Sequence, residues 1–175
     1  MTAFDYDVSI IGAGPSGSVA AAILCQKGYR VCVLERQKFP RFSIGESLLP
    51  QCMAYIEEAG MLEAVLKKGF QRKDGAVFGC RGEKADFNFD DKSSAGHSET
   101  FQVIRSEFDK VLIDEAENQG ADLFYETSVE SGTFIEDEAT LSVIGPEGKR
   151  KIRSKFCLDA SGYGRVLPRL LDLDV

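Results

Sequence analysis

Histidine is nearly missing from this chain, tryptophan is missing altogether, and no two cysteines stand at metal-binding spacing. With His97 the one histidine, a structural zinc site, which takes four ligands from Cys and His, is not expected. The five cysteines (Cys25, Cys32, Cys52, Cys80, Cys157) are odd in number, scattered and without a CxxC pair. Most fall within apolar patterns, which predicts buried free thiols in a reducing compartment. A basic tract is also lacking. The net charge of −7 argues against nucleic acid or an anionic membrane surface as the main partner. No long apolar run is present either: the N-terminal one is interrupted by glycines and has no basic segment before it. It is therefore neither a signal peptide nor a membrane span, and the expectation is a cytoplasmic protein without stable membrane insertion. Repeats, low-complexity tracts and linkers are absent, and 175 residues suffice for one domain with a sizeable core.

What is present begins at Tyr6. The stretch YDVSIIGAGPSGSVAAAILCQKGYRVCVLER gives an apolar run over 8–11, a turn GAGPSG, an Ala-rich helical pattern to Lys27, and a second apolar run over 31–34 that stops at Glu35. Strand, glycine turn, helix, strand and acid follow one another at the spacing of a dinucleotide-binding fingerprint. Gly12 permits the tight turn, Gly14 lets backbone approach a pyrophosphate, and Gly17 lets helix pack close to strand. The free N–H groups and dipole of the helix start attract phosphates. Glu35, 18 residues beyond Gly17, can accept hydrogen bonds from ribose hydroxyls. An ordinary βαβ unit with incidental glycines is the plainer alternative.

The remaining chain predicts strands over 6–11 and 31–35, a first helix over 16–27 ended by Gly28, a loop over 37–50, and helices from about 48 to 58 and over 61–68. Residues 76–80 and 85–89 form a hairpin, 90–99 a polar loop, and 100–104 a strand. A helix over 106–119 follows, with Ser106 as N-cap and Gly120 as stop. A short strand over 122–125 precedes an antiparallel meander over 129–135, 139–144 and 151–158, and a terminal helix lies near 165–171.

Three motifs in order, GAGPSG with Glu35-Arg36, PRFSIGESLLP (residues 40–50) and CLDASG (157–162), resemble the FAD-dependent monooxygenase superfamily of aromatic hydroxylases, geranylgeranyl reductases and flavin-dependent halogenases. The PRFSIGESLLP segment is most similar to the halogenase branch. Residues 101–116, FQVIRSEFDKVLIDEA, resemble the segment before the family's middle helix. The resemblance implies an α/β fold: a Rossmann-like FAD-binding fold with a parallel central sheet and an antiparallel β-meander crossover, of the glutathione-reductase/hydroxylase type. Residues 1–175 would be the N-terminal portion of an FAD-binding domain, with a hairpin region over about 76–104 on the substrate side.

The resemblance implies roles for particular residues. Gly12, Gly14, Pro15, Ser16 and Gly17 would cradle the FAD pyrophosphate, and Glu35 would hold the adenosine ribose. Arg36 would cover the adenine or is a solvated charge. Arg41 and Arg105 would offset the diphosphate, a task suited to the guanidinium fork, or are surface arginines. Ser43, Gly45, Glu46 and Ser47 would pass near the flavin ring or merely connect elements. Val129 would meet the adenine through its backbone, or is a plain strand residue. Asp159, with Gly162 beyond it, would lie near the ribityl chain, or caps a helix. QRKDGAVF (71–78) resembles the halogenase segment with the catalytic lysine, so Lys73 would direct hypohalous acid; a solvated charge is the bland reading. His97, in a polar loop, is read as neither ligand nor base.

The family's downstream GD motif and Trp-x-Trp-x-Ile-Pro signature are not in these residues. The expectation is the N-terminal part of a longer FAD-dependent oxidoreductase that activates oxygen to hydroxylate or halogenate a small organic substrate. NAD(P)H or a flavin reductase would supply the electrons. Alternatives are a geranylgeranyl-reductase-like enzyme, a non-catalytic FAD-binding fragment and, least favoured by DASG and GESLLP, an NAD-only domain. The chain as given is expected to expose apolar surface.

Overall fold

A computed structural model describes residues 4–173. In chain order the elements are β1 (Tyr6–Ile11), α1 (Pro15–Gln26), β2 (Val31–Leu34), α2 (Gln51–Glu58), α3 (Leu62–Lys67), β3 (Gln71–Lys73), β4 (Gly75–Cys80) and β5 (Glu83–Asn88). Then come β6 (Thr100–Gln102), α4 (Arg105–Asn118), β7 (Asp122–Phe124), β8 (Ser128–Ile135), β9 (Glu138–Gly145), β10 (Gly148–Asp159) and α5 (Val166–Leu170). Six strands form one sheet in the order β7-β2-β1-β10-β9-β8, while β3 pairs with β6 and β4 with β5 in two small separate sheets.

β2 is buried at every position, as expected of a parallel strand covered on both faces. One face of the sheet is closed by α1 and α4. The small side chains of α1 (Gly17, Ser18, Ala21, Ala22) let the helices approach, and Phe108, Leu112 and Ile113 of α4 fill the space beneath. A second cluster on the other face joins Ile11, Cys32 and Leu34 to Leu141, Val143 and Ile152 of the meander. β10 ties the two halves together. Its first part runs antiparallel to β9, and its last part runs parallel to β1, bringing Asp159 opposite Ile11. The end of β10 is thus delivered beside the glycine turn. Through this one 12-residue strand the meander is continuous with the parallel sheet.

Several boundaries differ from expectation for local reasons. Residues 46–48 do not open α2 because they lie extended along β6: Leu48 N donates to Phe101 O at 3.1 Å, and Val103 N to Glu46 O at 2.9 Å. The helix therefore starts after Pro50. α4 begins at Arg105, with Ile104 at the cap position and no side-chain cap, so Ser106 is not the N-cap. The strand expected over 100–104 is cut to three residues, paired with the unforeseen β3. Among the cysteines Cys32 alone is buried; Cys25, Cys52 and Cys157 are half-buried, and Cys80 is exposed on the hairpin. Burial still pushes the Cys32 thiol up to about 12 and Cys157 to about 11.

Candidate cofactor site

A cleft of about 530 Å³ opens at the carboxyl ends of β1, β2 and β10, where ligands bind in open α/β sheets. Its floor is the glycine turn. Gly12 has φ +103°, and a Cβ there would lie 2.7 Å from Ala160 O; a Cβ on Gly17 would lie 1.9 Å from Gly12 O. The protein itself demands both glycines. Gly14 differs: its φ is −69°, and the nearest protein atom to a Cβ there is Arg41 Nη2 at 3.6 Å. Nothing in the protein forbids a side chain at Gly14, which lines the cleft at the N-cap of α1. That end of the helix has no side-chain cap, Pro15 brings no N–H and Ser18 N already donates to Gly14 O at 2.9 Å, so Ser16 and Gly17 carry the N–H groups that a helix start leaves for a ligand.

Glu35, 5% exposed, closes the turn from β2. Its Oε2 accepts Ala13 N–H at 2.9 Å and its Oε1 accepts Gln37 N–H at 2.9 Å. The carboxylate therefore braces the turn while facing the cleft, and each oxygen keeps a further lone pair for a ribose hydroxyl.

Arg41 and Arg105 reach the cleft from different elements and meet on one carboxylate. Asp109 is fully buried; Arg41 Nη1 lies 3.2 Å from its Oδ2, and Arg105 forks onto it with Nε–Oδ1 at 2.7 Å and Nη2–Oδ2 at 2.9 Å. Arg41 also stacks over Phe39, 4.5 Å from the ring centre. Arg105 Nη1 donates to the Ile44 carbonyl and, at 3.4 Å, to Gly45 O, fastening the 43–48 loop.

Of the expected residues, Gly12, Gly14, Pro15, Ser16, Glu35, Arg36, Arg41, Ser43, Arg105, Val129 and Gly162 all line the cleft. Arg36 is exposed at its mouth, and a β-bulge between Val129 and Ser131 interrupts the ladder there. Gly17 lies beneath, as packing. Gly45, Glu46 and Ser47 lie outside the lining, with Glu46 and Ser47 paired along β6.

Two further expected residues, Asp159 and Lys73, lie outside the cleft lining. The Asp159 carboxylate is placed as a cap: it accepts Ser161 N–H at 2.9 Å and Leu167 N–H at 2.8 Å. Burial opposes its ionisation, but these bonds, with Ser161 and Val166, outweigh burial and hold its pKa below the usual aspartate value. Backbone that follows it, Ala160 to Gly164, lines the cleft in its place. Lys73 is also outside the lining. Its Nζ donates to Leu48 O at 2.9 Å and sits 5.1 Å from the Phe89 ring centre, so it grips the far end of the 43–48 loop. His97 pairs with Glu57 at 3.1 Å, away from the cleft lining.

Sequence reasoning missed Asp109, and with it Phe42, Tyr163 and Arg169 on the cleft wall. For Asp109 a signal existed, an acid four residues after Arg105 among apolar helix positions; the others carry none. A second hollow of about 450 Å³ along residues 117–124 offers Glu117 and Asp122 and no cation, so it suits no phosphate.

The cleft fits FAD. Gly14 leaves room for a group closer than any side chain would allow, a helix start and two held guanidiniums bring positive charge to the cleft, and a carboxylate with lone pairs to spare faces it. Comparisons with known proteins agree. A solved structure described as a flavoprotein/dehydrogenase from Cytophaga hutchinsonii matches with TM-score 0.92 and 50% identity, over 97% of this chain and 42% of that one. The tryptophan 2-halogenase of Chondromyces crocatus is 36% identical over 91% of this chain and 31% of its own length. The 1H-pyrrole-2-carbonyl-[peptidyl-carrier protein] chlorinase of Pseudomonas fluorescens is 33% identical over 99% and 43%. The chain thus spans well under half the length of these relatives. With residues 5–171 matched, it belongs to the FAD binding domain family.

Proposed function

We propose that this chain holds FAD with its adenosine diphosphate in the cleft, as the cofactor-binding part of a flavin-dependent monooxygenase or halogenase. The observation that carries the proposal is Gly14, an opening at a helix start that the protein's own packing does not require. In this reading Glu35 orients the ribose, the α1 N–H groups and Arg41 and Arg105 neutralise the diphosphate, and the exposed Arg36 covers the adenine near Val129. Bound flavin supplies oxygen activation with electrons from NAD(P)H, directly or through a flavin reductase. The 43–48 loop leads from the diphosphate toward Lys73. We assign Lys73 the handling of the oxidant: its ammonium donates to Leu48 O, so it is oriented at the loop's end and can offer a further N–H to a hypohalous acid.

A second reading, a flavin-dependent reductase or dehydrogenase, is favoured by the description of the 50%-identical Cytophaga structure. There Lys73 only anchors the loop. The two separate in one assay. The FAD-loaded protein is given a flavin reductase, NADH, chloride or bromide, and a panel of phenols and pyrroles. The first reading predicts halide-dependent products, absent in Lys73→Ala although FAD is retained. Hydroxylated products without halide dependence keep the monooxygenase and remove the halogenase. NAD(P)H-driven reduction of an alkene without oxygen consumption moves the protein to the second reading.

A further inference from the structure

Two arginines from distant segments converge on a carboxylate that never reaches the cleft. Asp109 sits on α4 with no solvent exposure, and both its oxygens are occupied by guanidinium groups. Each arginine stands against a glycine, Arg41 against Gly14 of the cleft lining and Arg105 against Gly45 in the loop outside it. Arg41 Nη2 is 3.6 Å from the Cβ position of Gly14 in the glycine turn, and Arg105 Nη1 is 3.2 Å from that of Gly45 in the second loop. Arg105 also holds the carbonyls of Ile44 and Gly45. A single buried carboxylate thus links the turn, the 43–48 loop and α4.

We propose that Asp109 is a positioning residue for diphosphate recognition, acting through Arg41 and Arg105; this rests on the reading that the diphosphate of FAD lies beside Gly14. Charge alone points the other way. Asp109 cancels part of the positive charge of the pair, so removing it strengthens the attraction for an anion. Geometry opposes this. Without the carboxylate the two like charges repel, the guanidiniums leave their fixed aim, and the loop held by Arg105 loosens. Donors fixed before the ligand arrives bind it with less ordering cost, so the net effect is weaker binding. The two accounts predict opposite signs.

The test is calorimetric titration of the cofactor-free protein with ADP and with adenosine, for wild type and Asp109→Asn. The proposal expects ADP affinity to fall about tenfold or more in the variant, the size typical of losing charge-assisted contacts. Adenosine affinity, which has no diphosphate to sense the arginines, stays the same. A merely structural role lowers both affinities together and overturns the proposal, as does ADP binding that is unchanged or tighter. Should Asp109→Asn not fold, Asp109→Glu keeps the charge and both arginines but displaces the carboxylate by one methylene from the guanidiniums it holds. An ADP-specific loss in Asp109→Glu supports the proposal; ADP affinity equal to wild type overturns it. If wild type itself binds neither ADP nor FAD, the fault lies with the reading of the cleft and not with Asp109.

Discussion

Glu35 acts on both sides of the cleft floor. Its two oxygens accept N–H groups from Ala13 and Gln37, so a carboxylate expected only to meet a ribose also fixes the shape of the glycine turn. Glu35→Gln leaves one acceptor and turns an NH2 toward a backbone N–H. Chemical denaturation of the cofactor-free protein is expected to show a loss of about 1–3 kcal/mol, the cost of a buried donor left unpaired. FAD affinity is expected to fall as well. A variant that loses FAD affinity at unchanged stability would confine Glu35 to the ribose. At this scale the glycines and Glu35 were legible because their spacing is set by local backbone geometry. For Asp109 the spacing of four from Arg105 was legible but ambiguous, because it also fits a solvated pair until Arg41, from 68 residues earlier, is seen beside it.

Among the elements, β1, α1, β2 and the β4–β5 hairpin follow the sequence pattern closely, since burial periodicity and turn residues are local properties. The start of α2 and the β3–β6 pair do not, because residues 46–48 are held extended by hydrogen bonds to residues more than 50 positions away. α5 leans on side chains that precede it, Asp159 and also Ser161, whose Oγ accepts Val166 N–H at 3.1 Å. It has five residues, too few to hold a helix by itself, and Asp159 caps it through Leu167 N–H. Because the folded-state pKa of Asp159 is depressed, its contribution is fully present above the unfolded value of about 3.9 and is lost as pH falls through the folded value. Asp159→Asn is therefore expected to lower the melting temperature at pH near 7, with the gap to wild type narrowing as pH falls below the unfolded value and through the lower folded one. A gap that keeps its size across that fall in pH would mean the charge of the cap contributes nothing.

Across the whole molecule, charge is unevenly distributed. The chain is acidic, at −7, yet four arginines (Arg36, Arg41, Arg105, Arg169) line one cleft. That concentration suits an anionic ligand. The same rim exposes apolar side chains: Phe42 is 84% exposed and Tyr163 96%, beside the half-exposed Ile44, and the hairpin adds Val77, Phe78 and Phe87. The expected apolar surface is there, and part of it borders the site, where flavin or further protein would cover it. The central claim is that the diphosphate of FAD lies over Gly14, and Gly14→Asp tests it most directly. Aspartate is a favoured N-cap and suits the positive end of α1, so thermal unfolding of the cofactor-free variant should be no easier than wild type. Its carboxylate would occupy and repel the diphosphate position and engage Arg41 from there. Fluorescence titration with FAD is predicted to give no measurable binding to this fully folded variant. FAD affinity equal to wild type would contradict the account, because the diphosphate would then lie elsewhere.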